Sequence, residues 1–143
     1  MSTVKGVPQE EWQVPLLMGL LFRKVSETFA AEDWKGLRQS HFRVISGVPE
    51  GGISVTELAE RLGMTKQGCG QFVTQLEESG HLRTDADPDD RRVRRVHRTP
   101  KGSRTIAAVT ARILEIEGEW SDIVGERRYR TFRRVLEELA LRD

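Results

Sequence analysis

The run ISVTELAERLGMTKQGCGQFVTQLEESGHL at residues 53–82, continued by RTDADPDDRRVRRVHRTPKG at 83–102, decides the reading of this chain. Ser54 stands three residues before Glu57. In that S-x-x-E spacing the serine hydroxyl accepts the backbone N–H of the third helical residue and the glutamate reaches back. Ile53 and Leu58 occupy the staple positions around the cap. Leu58, Ala59 and Leu62 then share a helical face, and Gly63 is placed to end the helix in the left-handed conformation. Thr65 caps a second helix, over 65–79, with apolar positions Cys69, Phe72, Val73 and Leu76; Gly80 ends it. Two helices joined by Gly63-Met64-Thr65 make a helix-turn-helix, or else an ordinary helical hairpin in a bundle.

The segment beyond Gly80 favours the helix-turn-helix. Residues 81–84 and 93–98 pattern as two strands around Asp85-Ala86-Asp87-Pro88-Asp89-Asp90, which is turn chemistry. From Arg91 to Leu114 the chain carries Arg91, Arg92, Arg94, Arg95, Arg98, Lys101, Arg104 and Arg112 and no acid. On a chain of net charge +1 this is either a solvated charged face or a local phosphate-binding edge. A helix pair followed by a basic hairpin lays one helix in a DNA groove and a finger beside it. Thr65, Lys66, Gln67, Gly70, Gln71 and Gln75 fall on the solvent side of the second helix. Glutamine can pair with adenine, and lysine reaches guanine or phosphate. Gln67 and Gln71 are the expected base readers, with Thr65 and Lys66 on phosphate or guanine. Gly68 and Gly70 are unusual, since each costs about 1 kcal/mol against alanine inside a helix. They serve close backbone packing, are simply tolerated, or let the helix approach DNA closely.

Around this module the apolar spacing predicts helices over 9–31, 37–48, 99–120 and 122–141; Pro15 sits in the first turn of the first helix or marks where it really starts, and Thr99-Pro100 opens the third. The fold expected is mainly α with a small β-hairpin wing. Its organisation is an N-terminal dimerisation helix (1–36), a winged helix-turn-helix (37–102) and C-terminal dimerisation helices (103–143), with 1–8 as a loose arm. Hydrophobic content of 37% against 31% charged, over 143 residues, suits a helical protein that completes its core by pairing with itself. The one cysteine, Cys69, excludes a disulfide within the chain. Residues 1–12 lack a signal-peptide pattern, and the apolar run 16–22 is too short for a membrane span, so a cytoplasmic protein is expected. His41, His81 and His97 fall in different elements, and there is no metal-ligand spacing, nucleophile motif or glycine-rich phosphate loop. No enzyme, metal or cofactor is expected.

Leu58 to Thr65 (L-A-x-x-L-G-M-T), Leu76 to Gly80 (L-E-x-x-G), Asp87 to Arg92 (D-x-x-D-R-R) and Thr99 to Gly102 (T-P-K-G), in this order between flanking helices, resemble the bacterial winged helix-turn-helix regulators of the MarR type. The resemblance implies a homodimeric transcription regulator, usually a repressor, on a pseudo-palindromic DNA operator. It also implies a cleft for a small aromatic or phenolic effector. It makes Asp90 and Arg92 a couple that braces the wing, with Arg91, Arg92, Arg94 and Arg95 as the wing's DNA contacts. Arg98 departs from the family, which has an apolar residue before the threonine; its stem snorkels or it binds phosphate. Gln71 stands where the family often has arginine.

Three further readings stay open. Cys69 is a redox sensor or a buried inert thiol. Trp12, Trp34, His41 and Trp120 line an effector site, Trp34 and His41 foremost, or serve the core or an interface. A winged helix can also bind protein instead of DNA, although the polar face of the second helix speaks against that.

Overall fold

The computed structural model describes residues 6–143. Most of the expected loose arm, residues 1–5, lies outside the described residues. The chain divides into two compact units, 1–106 and 107–143.

In the first unit, Pro8 precedes a short 3-10 turn, Gln9–Glu11, and Trp12 Nε1 donates to the Val7 carbonyl (3.0 Å). The first helix, α1, is Val14–Ala30, shorter at its start than the apolar spacing suggested. Pro15 lacks an N–H and fits only the first turn, so it fixes the boundary and leaves Trp12 outside. Helix α2 is Gln39–Gly47 and buries Phe42, Val44 and Ile45.

The pair forms with the serine half of the expected capping box; among the described residues no bond runs from the Glu57 side chain back to the Ser54 N–H. In α3, Val55–Leu62, Ser54 Oγ accepts the Glu57 N–H at 3.1 Å, and Gly63 takes the left-handed conformation at φ 65°. Helix α4, Lys66–Glu78, starts on Thr65, whose Oγ1 accepts the Gly68 N–H at 3.0 Å. Strands β2 (Leu82–Ala86) and β3 (Arg94–Arg98) pair antiparallel, Thr84 opposite Val96. The hairpin is shifted from the expected spans. Asp85 and Ala86, which look like turn residues, pair with Arg95 and Arg94. A strand not anticipated, β1 (Ile53–Ser54), pairs with the other side of β3 in the order β1-β3-β2. Two residues are too few to show an alternation, and the cap signal at Ser54 masks them.

The core of this unit gathers Val44, Ile45, Val48, Ile53, Leu58, Ala59, Leu62, Cys69, Val73, Leu76, Leu82 and Val96, with Leu37, Val55, Met64, Phe72 and Ile106 packed against it. Each fully buried leucine or isoleucine contributes about 1.5–3 kcal/mol. A satellite cluster packs Phe29, Trp34 and Phe42, with ring centroids 5.0 to 5.6 Å apart.

Helix α5, Pro100–Val124, opens in the first unit, where Thr99 Oγ1 accepts the Gly102 N–H (3.1 Å). It continues into the second unit, which it forms with α6, Glu126–Ala140. The helix break expected near 121 sits at Gly125, whose φ of 93° an L side chain resists. Tyr129 Oη donates to Glu117 Oε1 at 2.7 Å across the turn, and Arg133 lies 3.9 Å from the same carboxylate. Burial, then the Glu117 bond, push the Tyr129 phenol up to about 12. Among the described residues no helix is long and apolar enough to cross a membrane, and no group of His, Cys, Asp and Glu could hold a metal.

Candidate nucleic-acid interface

Helix α4 divides its side chains sharply. Cys69, Val73 and Leu76 are buried; Thr65, Lys66, Gln67, Gln71, Thr74 and Gln75 are exposed, and Gly70 is half-exposed among them. From Lys66 to Gln75 there is no acid. The capped N-terminus carries the positive end of the helix dipole, where anions are favoured.

The two glycines have different surroundings. A Cβ on Gly68 would stand 2.9 Å from Thr65 Oγ1, the hydroxyl that caps the helix. A Cβ on Gly70 would meet nothing within 4 Å. Close packing therefore accounts for Gly68 and not for Gly70.

The wing is rooted on α4. Thr84 Oγ1 donates to Glu77 Oε2 (3.0 Å), and the Arg94 guanidinium donates to the same Thr84 oxygen. At the tip, Arg92 donates through Nε to Asp90 Oδ1 (3.1 Å) and through a terminal nitrogen to Asp90 Oδ2 (3.2 Å). The Arg92 N–H also reaches Asp90 Oδ1 (3.1 Å). The pair anticipated from the resemblance is thus present, and the Arg92 side chain remains 90% exposed. The Arg92 side chain beside Asp90 holds that carboxyl below its usual range. Asp87 is held down first by the Asp89 N–H (2.8 Å) and also by Arg95. Arg91 is exposed.

Arg95 departs from the expected set. It donates to the carbonyls of Gly51 (3.3 Å) and Gly52 (3.0 Å) and lies 3.5 Å from Asp87, so it pins the root of the wing to the turn before β1. Arg98 neither snorkels freely nor reaches out for phosphate. It donates to the carbonyls of Ser46 (3.2 Å) and Val48 (3.0 Å) at the end of α2. Arg61 donates to Gly47 O (3.1 Å), Arg43 to Leu62 O, and Lys101 to Ser79 O (2.6 Å). The C-terminal ends of α2, α3 and α4 are each closed by a cation from another element, which satisfies orphan carbonyls and the negative dipole end together. These clamps join residues 14 to 52 apart in sequence and leave no local signal. Of the basic run, Arg91, Arg92 and Arg94 are the exposed wing arginines.

The two expected effector residues separate. Trp34 lines a pocket of about 500 Å³ together with Ser26, Phe29, Leu37, Arg38 and Gln39. His41 is not among the pocket's lining residues. It accepts the Arg38 N–H on Nδ1 (2.9 Å), and its Nε2 lies 3.3 Å from Gln75 Oε1. Cys69 is fully buried, and burial pushes its thiol up, away from the reactive thiolate.

The MarR family model matches residues 35–93, spanning α2 to the wing. An uncharacterized protein of Mycobacterium tuberculosis is 31% identical over 108 residues, which cover 76% of this chain and 73% of that protein. The chain belongs to the MarR family. A MarR-family transcriptional regulator from Rhodococcus sp. RHA1 has the same fold at a TM-score of 0.70 and 21% identity, with 89% of each chain covered. So has the PcaV transcriptional regulator of Streptomyces coelicolor, solved with its natural ligand, at a TM-score of 0.68 and 17% identity over 98% of this chain and 96% of that one. In this MarR-family regulator the winged helix is the mainly α fold with a small antiparallel sheet.

Proposed function

We propose that this MarR-family regulator binds double-stranded DNA sequence-specifically, as a homodimeric, ligand-responsive repressor on a pseudo-palindromic operator. One observation carries the reading. An acid-free polar row on α4 lies exposed, and the wing rooted on that helix holds Arg91 and Arg92 in solvent. Thr65 and Lys66 contact phosphate or guanine, Gln67 and Gln71 read base edges, and Gly70 and Gln75 complete the face. Arg91, Arg92 and Arg94 enter the minor groove, where narrow A·T-rich sequence concentrates negative potential. Asp90 orients Arg92, and Arg95 supports the wing from behind.

The pairing reading rests on apolar side chains left in water. Val14 and Phe22 on α1 are each 64% exposed, and Leu139 on α6 is 69% exposed. Apolar faces of this kind mark interaction surfaces, and a second copy covers them. For the effector, the Trp34 pocket brings Phe29 and Trp34 together with Arg38, with Glu32 and Asp33 also in its lining, which suits a small aromatic molecule; PcaV was solved with its natural ligand.

Titrating labelled duplex DNA across a salt series tests the DNA reading. Affinity should fall steeply as salt rises, because each neutralised phosphate releases condensed counterions. Absent binding, or binding indifferent to salt, would contradict it.

A further inference from the structure

His41 was expected at an effector site, yet its ring is bonded to α4. The Arg38 N–H donates to Nδ1 at 2.9 Å. A ring nitrogen that accepts carries no proton, so in the neutral ring the proton sits on Nε2. That nitrogen lies 3.3 Å from Gln75 Oε1, which accepts it. The ring also packs edge-on against Phe72 of the same helix, with centroids 5.4 Å apart at 82°. The backbone bond thus settles the tautomer, the tautomer settles which end of the Gln75 amide is held, and the aromatic contact keeps the ring in place.

We infer that His41 is a positioning residue of the DNA-reading face: it holds the oxygen end of the Gln75 amide, so that Gln75 presents its N–H2 donors to a hydrogen-bond acceptor on DNA. This rests on α4 being the helix that reads DNA. An unheld glutamine presents either end, because its amide rotates freely. A held one selects acceptors: the N7 of guanine or adenine, guanine O6, thymine O4, or a phosphate oxygen. The bond joins residues 34 apart across an exposed face. Its main consequence is therefore orientation of the amide.

The test is a double-mutant cycle on the full chain, read by duplex titration and by sequence selection from a random DNA pool. His41→Phe keeps the aromatic packing and loses both hydrogen bonds. It should relax preference at one base position per half-site if the acceptor is a base. If the acceptor is a phosphate, it should lower affinity about tenfold equally across sequences, a loss of about 1.4 kcal/mol. In a Gln75→Ala background the same change should have no further effect on DNA. His41→Gln, whose amide N–H2 can donate to Gln75 Oε1, should restore the wild-type profile even where its thermal midpoint is lower. Equal losses from His41→Phe with and without Gln75, or no loss in either, would overturn the inference while leaving DNA reading intact. Wild-type protein that enriches no sequence would overturn both.

Discussion

Arg92 and Arg98 sit in one basic run and have opposite surroundings. The Arg92 side chain is 90% exposed and bonded only to the exposed Asp90. Removing it should leave the fold untouched: Arg92→Ala is predicted to weaken DNA binding at least about tenfold with an unchanged thermal midpoint, measured by duplex titration and thermal unfolding. Arg98 holds the carbonyls of Ser46 and Val48. Arg98→Leu is predicted to lower unfolding free energy by about 2 kcal/mol, read from denaturant titration, with DNA affinity of the folded protein retained. Gly70 gives the converse case. Helix propensity predicts that Gly70→Ala raises stability by about 1 kcal/mol, since open space surrounds the new methyl. DNA affinity should fall all the same, because the methyl stands on the face proposed to approach the duplex. A gain in stability with unchanged affinity would make Gly70 merely tolerated. The sequence displayed these cations as one stripe. What separated them was the long-range partner of each guanidinium, which spacing does not encode.

Helix boundaries were legible where their chemistry is local. Ser54, Gly63, Thr65 and Thr99 each act within four residues of themselves, and each stands where the caps required. The start of α1 was open between the apolar run from Gln9 and Pro15, and it falls at Val14-Pro15; the α5–α6 break was misplaced because apolar periodicity continues past the residue that ends the helix. Pro15 and Gly125 set those limits through backbone conformation, which outweighs periodicity. The junction from α4 to α5 shows packing that no pattern announces. His81 is buried, its Nδ1 is 2.7 Å from Ser79 Oγ, and its carbonyl would lie 2.2 Å from a Cβ on Gly102. Burial, then Lys101, then His41 push the His81 imidazole below its ordinary value of 6.5. The unfolded chain therefore binds the proton more readily than the folded one, and stability present above 6.5 is lost as pH falls through and below it. Thermal midpoints measured from pH 7.5 to 5 should decline for the wild type. The decline should be shallower for His81→Gln, whatever that variant's starting stability. Asp87 and Asp90 contribute separately at lower pH, below their ordinary value of 3.8, since both are held down in the folded state.

At the scale of the molecule, the low apolar content and the exposed apolar side chains of α1 and α6 fit the proposed pairing, in which a second copy would cover them. Composition suggested pairing without naming a surface; the exposure of Val14, Phe22 and Leu139 names side chains that the proposed pairing would cover. A two-fold pair of such units would present two α4 helices to DNA, with half-sites about one helical turn apart, roughly 34 Å. Selection of bound duplexes from a random pool is the sharpest test of that arrangement. An enriched, two-fold symmetric motif with half-sites one turn apart is expected, lost in Gln67→Ala and Gln71→Ala variants that still fold. Enrichment of no sequence, or of an unsymmetrical one indifferent to those glutamines, would rule the arrangement out.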